Sequence, residues 1–160
     1  MGVGFLFNSQ YSIFKHMKTI KKYQIKSNNT DIPKVAINSS RDAYDYIKQF
    51  YADDIDIFES SFILLLNRAN ITIGYAKISQ GGVAGTVIDI KIVLKYVIDS
   101  LASGFIISHN HPSGNKNSSP QDDQLTKRLA GIAELVDCKM LDHLIITSES
   151  WYSYADDGKL

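Results

Sequence analysis

The chain has 160 residues, 44% hydrophobic and 21% charged, the range of an ordinary globular protein with enough length for one domain and a sizeable core. Lysine plus arginine and aspartate plus glutamate each number 17, so bulk charge calls for no polyanionic partner, and the lone Cys138 excludes an internal disulfide framework and a cysteine-based zinc site. No apolar run reaches the ~18–20 residues of a membrane helix, and the apolar start Met1–Phe7 lacks the pattern of a secretory signal, so a cytoplasmic protein with no membrane partner is expected.

In chain order, residues 1–34 read as an extension. Lys15, His16, Lys18, Lys21, Lys22 and Lys26 precede the first acid, Asp31, and Phe5, Phe7, Tyr11, Phe14 and Tyr23 are interleaved with them. That mixture suits a nucleic-acid-facing arm over residues 1–30, although solvated lysines on a packed extension are the simpler reading. The domain is expected over 35–160. Val35-Ala36-Ile37 reads as a short strand, and Ser39 or Ser40 caps a helix over Arg41–Tyr51. Ser61–Asn67 and Ile71–Ser79 read as strands around the turn Arg68-Ala69-Asn70. Gly81-Gly82 breaks the chain before Thr86. Asp89 then caps a helix over Ile90–Ala102 whose stripe is Val93, Leu94, Val97, Ile98 and Leu101, with Gly104 at its end. Phe105–Ser108 is apolar up to its closing serine and so belongs in the centre of a sheet. A second long helix carries Leu125, Leu129, Ile132, Ala133 and Val136; strands at Met140–Thr147 and near Trp151–Tyr154 follow. Strands with intervening helices indicate an α/β sandwich with a mixed sheet. Cys138, between helix and strand, reads as a small buried hydrophobe.

The chemistry gathers after the apolar strand. His109-Asn110-His111, then Ser119 and Asp122, reads H-x-H-x7-S-x2-D in a chain with four histidines. Residues two apart in an extended chain face one side, with about 6.5–7 Å between Cα atoms. Two imidazoles and a carboxylate match the ligand set of a catalytic zinc ion, whose fourth position is left open. Ser119 and Asp122 also have a plain local reading. Pro120 suits the first helical position, Ser119 the N-cap, and Asp122 the third helical position of a capping box. One Asp122 oxygen can serve the cap and the other a metal.

The run Ser108-His109-Asn110-His111-Pro112-Ser113-Gly114, followed by Ser119 and Asp122, resembles the RadC-like branch of the JAMM (JAB/MPN) metalloprotease superfamily. Leu125–Leu129, Leu141–Thr147 and the closing Tyr152-Ser153-Tyr154 with Gly158 are similar to that branch's later elements, so the resemblance covers roughly residues 39–160. It implies a JAB/MPN-like, cytidine-deaminase-like three-layer sandwich with helices flanking a mixed sheet. It further implies that His109, His111 and Asp122 ligate Zn2+, that Glu59 is the acid/base for the attacking water, and that Ser119 is an oxyanion donor. Glu59 is the sole glutamate before Glu134. The family's proline before the motif serine is replaced here by Ser118, with Pro120 after the serine, a loop variation that leaves the ligand spacing intact.

The implied activity is zinc-dependent hydrolysis of a peptide or isopeptide bond in a peptide or protein substrate. Iron or manganese also suits two histidines and an aspartate. Two other classes compete: a DNA-associated protein using its basic arm, and a JAB fold kept as a non-catalytic binding module. In the strand around Asp142-His143 the two side chains point to opposite faces. One of them can accept a hydrogen bond from a metal-bound histidine, although satisfaction at the edge of the core is the simpler reading. Asn110 and Ser113 are expected to shape the loop by bonding backbone, and His16 to lie on the surface.

Overall fold

The structure, a computed structural model, describes Lys22 and residues 26–51, 54–82 and 85–160. The chain divides into two units, Met1–Thr30 and Asp31–Leu160. In the first, residues 26–30 are exposed and carry no helix or strand. Apart from Lys22 and Lys26, the basic and aromatic positions of the proposed arm lie outside the described residues, as does His16.

In the second unit the most apolar stretches become the inner strands. The strands are β1 (Ser60–Leu66), β2 (Thr72–Gln80), β3 (Gly104–Asn110), β4 (Lys139–Ile146) and β5 (Trp151–Ser153). They form one sheet in the order β2-β1-β3-β4-β5. Every residue of β1 and β3 is buried, as continuous apolar strands covered on both faces must be. β1 runs antiparallel to β2 and β3, β3 parallel to β4, and β4 antiparallel to β5. The sheet is therefore mixed, and β3, expected at its centre, is the third of five strands.

Among the described residues, three helices cover it: α1 (Ser40–Ile47), α2 (Ile90–Ser100) and α3 (Pro120–Glu134). On one face Ile63, Leu65, Phe105 and Ile107 pack with Val93 and Val97 of α2 and Leu129 and Ala133 of α3. On the other, Phe62, Leu64, Leu66, Ile106, Leu144 and Ile146 pack with Ala43, Tyr44 and Ile47 of α1. This is the helix–sheet–helix layering expected of a JAB/MPN-like sandwich. Helix α3 is the crossover that a parallel pair requires, joining β3 to β4. At the start of that pair the backbones approach closely, and a Cβ on Gly104 would lie 3.0 Å from Leu141 Cδ1 and 3.3 Å from the Lys139 carbonyl oxygen.

Several boundaries differ from the sequence reading. The helix expected over Arg41–Tyr51 starts at Ser40, capped by Ser39, and tightens after Ile47 into a 3-10 turn over Lys48–Phe50. Val35–Ile37 is not a strand. Ala36 makes an isolated bridge to Ile71, and the segment bonds backbone and side chain around the start of β2. Leu101, not Gly104, ends α2, because it takes the left-handed conformation with φ of 54°. That turns Leu101 outward, 86% exposed, and Ile98 is 52% exposed, so the expected five-residue stripe shrinks to one buried ridge, Val93 and Val97. Likewise α3 stops at Glu134 and leaves Val136 exposed. Cys138 is buried in the core, as expected.

Candidate metal centre

Strand alternation sets the site. Phe105, Ile107 and His109 face α2 and α3, while Ile106, Ser108 and Asn110 face the opposite layer. The His111 amide donates to the Ile146 carbonyl at 2.9 Å, which keeps it alongside β4 just past the end of β3. His109 and His111 thus share a side, with their Nε2 atoms 3.0 Å apart. The third group arrives at the start of α3. Ser119 is the N-cap, Pro120 opens the first turn, and Ser119 and Asp122 form a reciprocal capping box. Asp122 Oδ2 accepts from the Ser119 amide at 2.8 Å and from its hydroxyl at 2.6 Å. The other oxygen, Oδ1, stands 3.4 Å from His109 Nε2.

One coordinating atom from each of His109, His111 and Asp122 therefore lies within 4.8 Å of the other two. Hydrogen placement favours a cation there. His111 Nδ1 lies 2.5 Å from the Asn115 carbonyl oxygen, which can only accept, so Nδ1 carries the proton and a neutral ring presents a bare Nε2. Two imidazole nitrogens and a carboxylate oxygen converging in this way fit zinc, with one tetrahedral position left for a reactant. The same atoms also fit the other divalent ions that bind imidazole and carboxylate.

Glu59 comes to the same end of the sheet from β1. Ser61 pairs with His109 across β1 and β3, and extending that antiparallel register sets Glu59 beside His111. Its backbone is held on both sides: the Glu59 amide donates to the Gly82 carbonyl at 3.2 Å, and the Gly81 amide to the Glu59 carbonyl at 2.8 Å. Burial raises the pKa of its carboxyl group above the usual range. The Thr86 amide and the charge of His111 oppose that shift, and the charge of Asp122 adds to it.

Asn110, on the opposite side of β3 from the histidines, ties the Glu59 segment down. Its Oδ1 accepts from the Ser60 amide at 2.7 Å, and its Nδ2 donates to the carbonyls of Ile55 at 2.5 Å and Phe58 at 2.8 Å. It bonds backbone as expected, but the backbone it organises lies some fifty residues upstream of its own loop. Ser113 does shape the loop, accepting from the Asn115 amide at 3.4 Å. Asn110→Ala strands the buried Ser60 amide and the half-buried carbonyls of Ile55 and Phe58, and is expected to lower stability by about 2–4 kcal/mol. Urea unfolding measures this, and a loss under 1 kcal/mol would show that the clasp is not needed.

Sequence reasoning favoured an edge-of-core place for Asp142 and His143 and left open that one of them accepts from a metal-bound histidine; the structure puts His143 next to a proposed ligand. It is fully buried, with Nε2 2.9 Å from His109 Nδ1 and Nδ1 2.6 Å from Thr126 Oγ1. Thr126 was not foreseen at all. The available signal was its i, i+4 spacing from Asp122, which sets both on one helical face. Tyr154 stacks on His143 with ring centroids 5.0 Å apart, and its hydroxyl donates to Asp123 Oδ1 at 2.7 Å. Burial lowers the pKa of both His109 and His143, so both rings are neutral at neutral pH. Asp142, facing away, accepts from the Ser153 hydroxyl at 2.6 Å and the Ala155 amide at 3.0 Å, fastening the C-terminal hairpin.

The sequence profile of the RadC-like JAB domain matches residues 37–159. The chain belongs to the RadC-like JAB domain family. That family is part of the JAB/MPN superfamily, consistent with the mixed sheet and flanking helices. A UPF0758 protein of Flavobacterium johnsoniae is 41% identical over 122 residues, 76% of this chain and 52% of that protein. One of Porphyromonas gingivalis is 39% identical over 126 residues, 78% of this chain and 55% of that protein. Another, of Neisseria meningitidis, is 43% identical over 100 residues, 62% of this chain and 44% of that protein. The RadC-like chain thus spans about half the length of the curated relatives it matches. Among the described residues, no helix is long and apolar enough to cross a membrane.

Proposed function

We propose that this RadC-like JAB domain is a zinc-dependent hydrolase of JAMM type, cleaving a peptide or isopeptide bond of a peptide or protein substrate. The observation that carries this is the convergence of His109, His111 and Asp122 on one point, with Glu59 on the neighbouring strand end. When bound there, zinc supplies Lewis acidity, polarising an amide carbonyl and lowering the pKa of a coordinated water to about 7.

The protein's own groups do the rest. Glu59 takes the proton of the attacking water as the new C–O bond forms, then delivers it to the amine as the C–N bond breaks. A carboxyl group raised by burial suits that double duty, since an acid/base works best with a pKa close to the working pH. Ser119 would donate to the oxygen that becomes negative. To do so its hydroxyl must turn from Asp122 Oδ2, where it now donates, leaving the Ser119 amide to hold that oxygen. His109, its pKa lowered by burial, stays neutral, and His111 keeps Nε2 turned to the site while its Nδ1 donates to the Asn115 carbonyl.

The test is metal analysis and cleavage on one preparation. Purified protein should hold about one zinc per chain and hydrolyse members of an amide-linked peptide library. Chelation should abolish cleavage, and zinc should restore it. A protein that binds no divalent metal, or binds it and cleaves nothing while Glu59 is intact, overturns the proposal. The second outcome would favour a binding module.

A further inference from the structure

His109 and His143 form a pair of buried imidazoles whose hydrogens can be assigned from one end. Thr126 Oγ1 donates to the Asp122 carbonyl at 2.7 Å, an oxygen that can only accept. Its single proton is committed there, so at 2.6 Å from His143 Nδ1 the hydroxyl must accept, and Nδ1 carries the hydrogen. The His143 ring is fully buried and its two nitrogens meet only Thr126 and His109, neither of them a counter-charge, so the ring is held uncharged and its Nε2 is bare. That nitrogen lies 2.9 Å from His109 Nδ1 and must accept from it. A neutral His109 then carries its hydrogen on Nδ1 and is bare at Nε2, the atom facing His111 and Asp122. Each hydrogen bond points the same way, and the series returns to the backbone of the residue whose carboxylate completes the group.

We infer that His143 and Thr126 are positioning residues that lock His109 into the tautomer with a free Nε2 lone pair, so that the metal donor set is preformed before any ion arrives. This rests on the reading of His109 as a metal ligand only where zinc affinity is concerned; the tautomer is a property of the protein alone. Neutral imidazole otherwise distributes its proton between both nitrogens, and a proton on Nε2 blocks the lone pair a metal needs. A buried histidine as the acceptor gives a directional partner without adding a buried negative charge beside Asp122. Tyr154 stacked on the outer face of His143 holds that ring in plane, and Thr126 is itself 1% exposed, so water does not substitute for either partner.

The experiment is nitrogen-15 NMR of the imidazoles in the metal-free full chain at pH 7.5, paired with zinc affinity by chelator competition. The wild-type protein should show His109 with a pyrrole-like Nδ1 and a pyridine-like Nε2. His143→Leu fills the space without an acceptor and should convert His109 to a mixture or to the Nε2–H form, with zinc affinity about 10–100-fold weaker. His143→Gln can place an acceptor oxygen near the former Nε2, and should hold the tautomer and affinity within about threefold of wild type. Thr126→Val is near-isosteric, removes the committed hydroxyl, and should give an intermediate loss even if the Leu variant folds poorly. An Nε2-protonated His109 in the wild type, or an unchanged Nδ1–H signature in both the Leu and Val variants, overturns the relay. If the tautomer is as expected but zinc does not bind the wild type, the relay stands and the metallohydrolase reading falls.

Discussion

Glu59→Gln is expected to lower kcat on any amide substrate by about 10²–10⁴-fold, the usual contribution of a positioned acid/base, while zinc content stays at wild-type level. The substitution is chosen for what it retains. Glutamine keeps an acceptor for the Thr86 amide that contacts this side chain, and removes only the ability to take and return a proton. The backbone of residue 59, clipped to Gly81 and Gly82, is untouched. Steady-state kinetics with parallel metal analysis separates the outcomes. A variant that binds zinc and retains more than a tenth of wild-type kcat would remove Glu59 from the proposed chemistry. One that loses zinc would instead make Glu59 part of the metal-holding structure.

Asp122→Asn should abolish the thermal stabilisation that zinc confers. A ligand at 100 times its dissociation constant stabilises the folded state by about 2.7 kcal/mol. In a domain of this size that is roughly 5–10 °C in Tm. The asparagine keeps a side-chain oxygen that can accept from the Ser119 amide and hydroxyl, so the start of α3 should survive and the metal-free stability should change by no more than about 1 kcal/mol. The neutral amide is a far weaker ligand for a divalent ion. Differential scanning calorimetry with and without zinc therefore distinguishes two roles carried by one side chain. A full zinc shift in the variant would place Asp122 in the cap alone; loss of metal-free stability beyond 2 kcal/mol would mean the amide does not sustain the cap.

Much of this site was legible because its parts are local. His109 and His111 share a side as residues two apart in an extended chain, and Ser119, Pro120 and Asp122 announce a helix start at fixed offsets. Phe105–Ser108, apolar up to its closing serine, reads as an inner strand. Glu59 was reached differently, through family resemblance, and only the β1–β3 register explains why it sits beside His111. What sequence reading missed or left open depends on pairings between distant elements. His143 meets His109 across 34 residues and Asn110 meets Ser60 across 50, and no periodicity encodes either contact. Helix α2 shows the limit from the other side. Its stripe of Val93, Leu94, Val97, Ile98 and Leu101 announces an amphipathic helix, but periodicity does not say how wide the contact with the sheet will be, and one ridge suffices here.

The even-numbered and odd-numbered halves of β3 govern different parts of the machinery: His109 delivers a donor on one side, and Asn110 anchors the segment bearing the acid/base on the other. Insertion or deletion of a single residue inside this strand would exchange those assignments at a stroke, whereas added length between Pro112 and Ser118 leaves both in place. A change in chain length is thereby accommodated in the connecting loop and not within β3.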